Sequence, residues 1–214
     1  QVLKDAASSS IYGSRAANGV VVVTTKKGSK NGAYNVNLDA YYGISSSFNL
    51  PNMLNAQQYG DLLWQASKND GKTPESDIYG NNPNTPTIPQ WLNDENTIPS
   101  GDVDWISEIM QPASVQSYNL SISKGDEKAQ HSLSLGYFNQ EGIIKHTGFE
   151  RFSARFNSSY KIHDLVTIGE NFTASYKERV SVGTNSALGS IVYNALQFPS
   201  IVPVRDINGN YAGN

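Results

Sequence analysis

The chain has 214 residues, a net charge of −3 and a mean hydropathy of −0.44. This charge balance shows neither a basic nor an acidic excess, so the composition argues against a nucleic-acid partner. Cysteine is absent, which excludes disulfides and thiolate metal sites. No apolar run reaches the roughly 18 residues that predict a transmembrane helix. The chain begins at Gln1 without signal-peptide features and ends soon after a turn signal, so we expect an internal segment of a longer protein.

The N-terminal residues predict a small packed unit of their own. Residues 2–12 favour a short helix that ends at Gly13, since glycine is the usual residue just past a helix end. Residues 20–25 are a continuous run of Val and Thr, which is typical of a strand buried on both faces. The glycine-rich turn between them is not a phosphate loop, because such a loop follows a strand and opens a helix.

Five later segments alternate apolar and polar side chains, which is the pattern of strands with two unlike faces. In residues 151–162 the even positions are apolar except Ser158, whereas no odd position is apolar. This run is longer than an ordinary strand and exceeds the about 9–11 residues that a tilted strand needs to cross a membrane. Glu170 interrupts the apolar positions of the last segment, and we expect it near an interface or turned inward by a bulge. The other segments are residues 34–44, 116–124, 131–137 and 166–176.

The connections between these segments alternate in length. Outer-membrane barrels show this asymmetry, with short periplasmic turns and longer extracellular loops. A soluble sandwich also has alternating strands but no reason for alternating loop lengths. The pattern therefore favours a mostly all-β fold, a partial antiparallel transmembrane β-barrel with short helices in a long loop. The long or medium connections are residues 45–115, 139–150 and those after 179, and the short ones are 125–130 and 163–164.

The long loop 45–115 contains two predicted helices. Asn55 and Gln58 form a capping box before an amphipathic run, and Asp104 is a candidate cap for the second helix. Trp91 and Trp105 are candidate extracellular contacts for a ligand or a partner, since indole rings can stack on sugars. Alternatively, these two side chains anchor a small core within the loop itself.

Several stretches resemble one family in chain order. Residues 2–6, 11–19 and 24–28 together closely resemble the end of the plug domain of SusC/RagA-type TonB-dependent outer-membrane transporters. Residues 54–59 resemble the helix in that family's first long loop, and residues 132–143 resemble its third strand with the following loop. The resemblance covers nearly the whole chain. The structural motif at the plug end comprises Gly13, Ser14, Arg15, Asn18 and Gly19.

The resemblance implies a barrel of about 22 strands that is closed by an N-terminal plug. Residues 1–32 would be the C-terminal end of the plug domain. Residues 33–214 would hold the first few strands of the barrel, about five, with the extracellular loop 45–115. Transporters of this family lie in the bacterial outer membrane, surrounded by its lipid, and import oligosaccharides or peptides with a SusD-like surface lipoprotein. TonB drives them through a segment that would lie upstream of this chain.

No residue pattern predicts catalysis. His131, His146 and His163 lack metal-ligand spacing, so we expect no enzyme activity, catalytic residue, metal site or cofactor. A transporter instead needs a polar lumen. Two alternatives stay open, namely a non-transporting barrel that acts as an adhesin, and a secreted or surface β-rich module that binds glycans. The candidate lumen-facing residues are Arg151, Arg155 and Lys161.

Overall fold

The computed structural model describes residues 2–5, 10–16, 18–23, 32–183 and 189–212. Their contacts separate two units. The sheet unit comprises Gln1–Ala40, Ser117–Tyr137 and Arg151–Tyr176. The loop unit comprises Tyr41–Gln116, Phe138–Glu150 and Lys177–Asn214. In chain order the elements are β1 (Val2–Leu3), β2 (Val20–Val21), β3 (Asn35–Ser45), α1 (Ala56–Asn69), α2 (Trp105–Ile109), β4 (Ala113–Gly125), β5 (Ala129–Glu141), β6 (Gly148–His163), β7 (Val166–Val180) and α3 (Ile191–Gln197).

The helix predicted over residues 2–12 is wrong at its start. Val2 and Leu3 form a strand that pairs antiparallel with β2, because Val2 lies opposite Val21 and Leu3 opposite Val20. Residues 6–9 lie outside the described part of the chain. Ser10–Tyr12 is a 3-10 turn, and it ends at Gly13 as predicted. Gly13 has a φ of 75° and its N–H donates to the Ser10 carbonyl at 3.1 Å, which is the left-handed geometry that favours glycine.

The strand predicted over residues 20–25 is shorter and more exposed than expected. It covers Val20–Val21, while residues 24 and 25 lie outside the described part. Val21 is 69% and Val23 78% exposed, so the described part of this chain does not bury these residues on both faces. The physical reason is the size of the sheet, since a ribbon of two two-residue strands offers no layer that could cover either face.

The five predicted alternating strands are confirmed as one sheet in the order β3-β4-β5-β6-β7. Each strand therefore lies beside its neighbours in sequence, and β3 and β7 are the edges. The strands contain 11 to 16 residues, longer than the five or six residues of a common soluble strand. The turn at Asp164–Leu165 between β6 and β7 is short, as predicted.

One face of this sheet is apolar and open. Leu38 is 66%, Ile168 58% and Tyr176 61% exposed. Aromatic rings run across neighbouring strands on this face, since Tyr118 stacks on Tyr137 with centroids 6.2 Å apart and Tyr137 meets Phe152 at 4.8 Å. An exposed apolar surface of this extent needs a cover of protein or lipid.

A buried core lies in the loop unit. It comprises Ala56 and Trp64 of α1, Tyr79 of the following irregular segment and Ile201 after α3. The Trp64 indole N–H donates to the Asn82 carbonyl at 2.7 Å, which satisfies its buried donor. Of the helices that the structure describes, none combines the length and apolar character needed to cross a membrane.

Candidate functional site: the polar sheet face and the loop unit

The second face of the sheet is polar and connected by hydrogen bonds between neighbouring strands. Asn157 of β6 donates to the Ser132 hydroxyl of β5 at 3.4 Å, and Ser153 donates to the Gly136 carbonyl at 3.4 Å. A Cβ on Gly136 would lie 2.7 Å from the Ser153 hydroxyl, so a side chain there would have to displace that hydroxyl. This face therefore presents hydroxyl and amide groups alongside its charged side chains. A shallow groove on this face is lined by Asn119, Ser121, Ser134, Ser153, Arg155 and Thr173 among others.

The three predicted lumen residues share this polar face but differ in their partners. Arg155 is exposed, and its Nε donates to the Thr173 hydroxyl of β7 at 3.4 Å. Arg151 lies four residues earlier on the same strand and is also exposed. Lys161 pairs instead with Asp164 across the β6–β7 turn at 2.8 Å. Lys161 therefore lies at the end of the strand, whereas the two arginines lie along the wall.

The residues of the predicted plug-end motif surround the β1–β2 ribbon. Ser14 and Arg15 lie in a second 3-10 turn, Ser14–Ala16, and both are exposed. Gly19 has a φ of 93°, and its N–H donates to the Ala16 carbonyl at 2.9 Å. A Cβ on Gly19 would lie 3.0 Å from the Leu3 carbonyl oxygen. Gly19 therefore permits both the turn and the close approach of β1, while Asn18 occupies the exposed turn position before it.

Replacing Gly19 with alanine should open the β1–β2 pair. The positive φ alone costs a residue with a Cβ about 1–2 kcal/mol, and the contact with the Leu3 carbonyl adds to that cost. Gly13→Ala is the matched control, because Gly13 has a similar φ but open space around its Cα. Hydrogen exchange of residues 2–5 and 18–23 should accelerate more in Gly19→Ala than in Gly13→Ala. Equal acceleration would show that the Leu3 contact has no role.

Three connections that are far apart in sequence assemble into the loop unit. After β7, the Ile201 carbonyl accepts the Gly101 N–H at 2.7 Å and the Ser200 carbonyl accepts the Val103 N–H at 2.8 Å. The connection between β5 and β6 contacts α2 through Lys145, whose amine pairs with the Glu108 carboxylate at 3.3 Å. The long connections therefore fold together and do not form separate loops.

Trp105 takes a packing role within this unit. Its indole N–H donates to the Pro199 carbonyl at 3.2 Å, and its ring meets Phe198 edge-on with centroids 5.0 Å apart. Trp91 forms an isolated β-bridge with Pro99. Both tryptophans are partly buried. Part of each side chain is therefore exposed to solvent, and the remainder packs within the loop unit.

Neither α3 nor the contribution of the segment after it was predicted from the sequence. The signal was present locally, since Ser190 accepts the Tyr193 N–H as a helix cap. The burial of Ile201, at 0% exposure, had no local signal because its neighbours come from α1 and the segment that follows that helix.

Both helix caps predicted in the long loop are confirmed. Asn55 accepts the Gln58 N–H while the Gln58 side chain accepts the Asn55 N–H, a complete capping box. Asp104 accepts the N–H groups of Ile106 and Ser107 at 3.1 Å each. The hydrogen bond from the Ser107 hydroxyl, followed by these backbone N–H groups, lowers the pKa of Asp104.

Replacing Asp104 with alanine should destabilise α2 by about 1 kcal/mol, the usual cost of losing an N-cap. Because the pKa of Asp104 is lowered in the folded state, the stabilisation is complete above the unfolded pKa of about 3.9 and is lost as pH falls through the folded pKa. Asp104→Asn keeps a cap acceptor without a titrating group. Hydrogen exchange of Trp105–Ile109 should therefore be pH-dependent in the parent and flat in Asp104→Asn, after correction for the intrinsic rate. A pH dependence that survives in Asp104→Asn would assign it to another group.

Among the described residues, no group of three or more His, Asp or Glu side chains is arranged to hold a metal ion. The hydrogen-bonded polar groups described above instead lie on the polar face of the sheet or cap the helices of the long loop. Together, the long strands with one open apolar and one polar face define a partial antiparallel transmembrane β-barrel.

Comparisons with known proteins point to the same class. No family model matches the sequence. The chain is 32% identical over 217 residues to TonB-dependent receptor P26 of Formosa agariphila, covering 100% of this chain and 19% of that protein. It is 29% identical over 212 residues to TonB-dependent receptor SusC of Bacteroides thetaiotaomicron, covering 98% of this chain and 18% of that protein. The chain thus spans less than one fifth of the length of these curated relatives.

Solved structures show the same similarity. The structure of the RagAB peptide transporter matches with a TM-score of 0.73 and 29% identity, covering 99% of this chain and 25% of the matched chain. The RagAB peptide importer in its closed-closed state matches with a TM-score of 0.72 and 28% identity over the same shares. The predicted resemblance to SusC/RagA-type TonB-dependent receptors is confirmed, and the chain is homologous over its whole length to one segment of them. The names of these relatives describe receptors and transporters.

Proposed function

We propose that this chain is part of a TonB-dependent importer in the bacterial outer membrane, which takes up an oligosaccharide or a peptide. The observation that carries the proposal is the two-faced sheet of β3–β7. Its apolar face suits the hydrocarbon of a bilayer, and its polar face suits a water-filled lumen. Its strands are long enough to span a bilayer at the usual tilt.

In this proposal residues 1–32 are the end of the plug domain and residues 33–214 the first strands of the barrel. The β1–β2 ribbon would join the remainder of the plug sheet, which would cover the exposed Val21 and Val23. Arg151 and Arg155 would line the lumen beside the serine and asparagine side chains of neighbouring strands. TonB, acting through an upstream segment, would displace the plug so that solute can pass along this polar wall.

The loop unit would face a SusD-like surface lipoprotein on the extracellular side. Three features support this arrangement. The connections at this end of the strands are long, whereas the turns at the other end are short. The long connections also form a folded unit with its own core, which can present a stable surface. Finally, the chain resembles the RagAB peptide importer and SusC, which supports a SusD-like partner at these loops.

The test is uptake by a bacterium that carries the complete parent gene. Deleting that gene should abolish growth on one class of nutrient, a glycan or a peptide mixture, and the intact gene should restore it. A version that lacks residues 46–112 should insert into the outer membrane but fail to retain its surface lipoprotein in pull-down. Normal growth of the deletion strain on every glycan and peptide source would contradict the proposed import function.

A further inference from the structure

Glu170 is not an isolated exception on the apolar face, because polar residues of the neighbouring strands lie beside it. His131 occupies one of the positions of β5 that face the apolar side of the sheet. Its Nδ1 lies 2.9 Å from the Ser158 hydroxyl of β6. Ser158 is the one polar residue among the even positions of residues 151–162. The exceptions of two adjacent strands therefore touch each other.

The pairing of β6 with β7 brings Glu170 to the same place. Arg155 contacts Thr173, and counting three residues along each antiparallel strand from this contact puts Ser158 beside Glu170. The Ser158 carbonyl oxygen also lies 3.7 Å from where a Cβ would stand on the adjacent Gly169. Three neighbouring strands thus contribute His131, Ser158 and Glu170 at one level of the sheet.

The row continues onto β4. Tyr118 stacks on Tyr137, and counting six residues along each strand from this pair puts Lys124 beside His131. The Lys124 amine lies 4.2 Å from the ring centroid of Tyr34, another apolar-face position. The polar row, defined as Lys124, His131, Ser158 and Glu170, therefore crosses four strands and carries a cation at one end and a carboxylate at the other.

The charges within the polar row are too far apart to neutralise each other. Strands are spaced by roughly 4.8 Å, so the backbone of Glu170 lies roughly 10 Å from that of His131 and roughly 14 Å from that of Lys124. Among the described residues Glu170 forms no ion pair. A carboxylate on a lipid-facing surface is unfavourable unless a cation accompanies it. Because no described residue supplies that cation, the ammonium of a lipid headgroup can take this place.

We propose that the polar row binds the headgroup of a phospholipid that carries phosphoethanolamine. This inference rests on the proposed function, since it requires the apolar face to stand in a bilayer. With the Ser158 hydroxyl donating to Nδ1 of His131, the His131 Nε2–H and the Lys124 amine would bind the phosphate, and Glu170 would accept hydrogen bonds from the lipid ammonium. The cationic end of the row adjoins the short β4–β5 turn, which the loop lengths assign to the periplasmic, phospholipid leaflet.

The ammonium is the discriminating group, because phosphatidylcholine has the same phosphate but no N–H to donate. The parent transporter is placed in nanodiscs with equal amounts of phosphatidylethanolamine and phosphatidylcholine of the same acyl chains. Native mass spectrometry then counts the lipids of each kind that stay bound to the protein after it is released from the nanodisc. Phosphatidylethanolamine should be retained about tenfold better, the value of one charge-assisted hydrogen bond at a partly exposed site.

Variants assign the preference to the row. Glu170→Gln should lose it, and Lys124→Gln should lower the retention of both lipids because both carry phosphate. Glu127→Gln and Lys128→Gln, in the same short turn but off the row, are the matched controls and should behave as the parent.

Equal retention of the two lipids by the parent, or an unchanged preference in Glu170→Gln, would overturn the headgroup site. Heat-modifiable electrophoretic mobility of every variant separates this failure from a failure of the proposed function. A parent that inserts and transports without a lipid preference contradicts the headgroup site alone. A parent that does not insert contradicts the membrane barrel itself and the headgroup site with it.

Discussion

Replacing Phe156 with arginine should block assembly of the barrel. Phe156 lies at an even position of β6, between Ala154 and Ser158, on the apolar face. An arginine that faces lipid costs up to about 2–4 kcal/mol, the value at the bilayer midplane, and less towards an interface. The strands have to insert before closure of the barrel can offset this cost. The expected result is loss of the folded, heat-modifiable form of the complete protein from the membrane fraction.

Arg155→Ser is the matched control for this prediction. Arg155 is the adjacent residue but points to the polar face, where its one described contact is the exposed hydrogen bond to Thr173. Its loss should leave assembly intact and, under the proposed function, change at most the rate of uptake. Phe156→Leu, which keeps an apolar side chain, should also assemble. Equal assembly defects in Phe156→Arg and Arg155→Ser would remove the basis for assigning two different faces.

Replacing Ile201 with alanine should loosen a loop to which it is not adjacent in sequence. Ile201 is fully buried against Trp64 and Tyr79, and removing a buried isoleucine side chain costs about 2–5 kcal/mol. The segment after α3 should then separate from the α1 region. Limited proteolysis of intact cells should cleave within residues 70–100 and 198–212 much faster than in the parent, while the barrel stays inserted.

Leu62→Ala controls for a general effect of apolar deletion in the loop unit. Leu62 lies on α1 but is 51% exposed, so its removal creates no internal cavity and should leave the cleavage rate nearly unchanged. If Ile201→Ala accelerates cleavage within residues 198–212 alone, the two loops are independent and the shared core does not couple them. If the surface lipoprotein binds the loop unit, its retention should fall in Ile201→Ala in parallel with the proteolysis.

The features that were predicted correctly from the sequence depend on local signals, that is, on residues close together in the chain. In residues 151–162 the alternation of side chains reports the two faces directly, because each strand residue points opposite to its neighbour. The capping box of Asn55 and Gln58 is equally local, since cap and backbone partner lie three residues apart. The turn at Gly13 follows from the one residue type that adopts positive φ without strain.

The sequence by itself therefore determined the barrel strands, their polar and apolar faces, the caps of the loop helices and the resemblance to a family. Only the tertiary structure decided the pairing of Val2–Leu3 with Val20–Val21, the joint core around Ile201 and the alignment of Lys124, His131, Ser158 and Glu170. Each of these depends on which distant segments meet and in what register. The alternation of apolar and polar residues specifies whether a side chain lies on the apolar or the polar face. Strand register and loop packing specify which residue lies beside it.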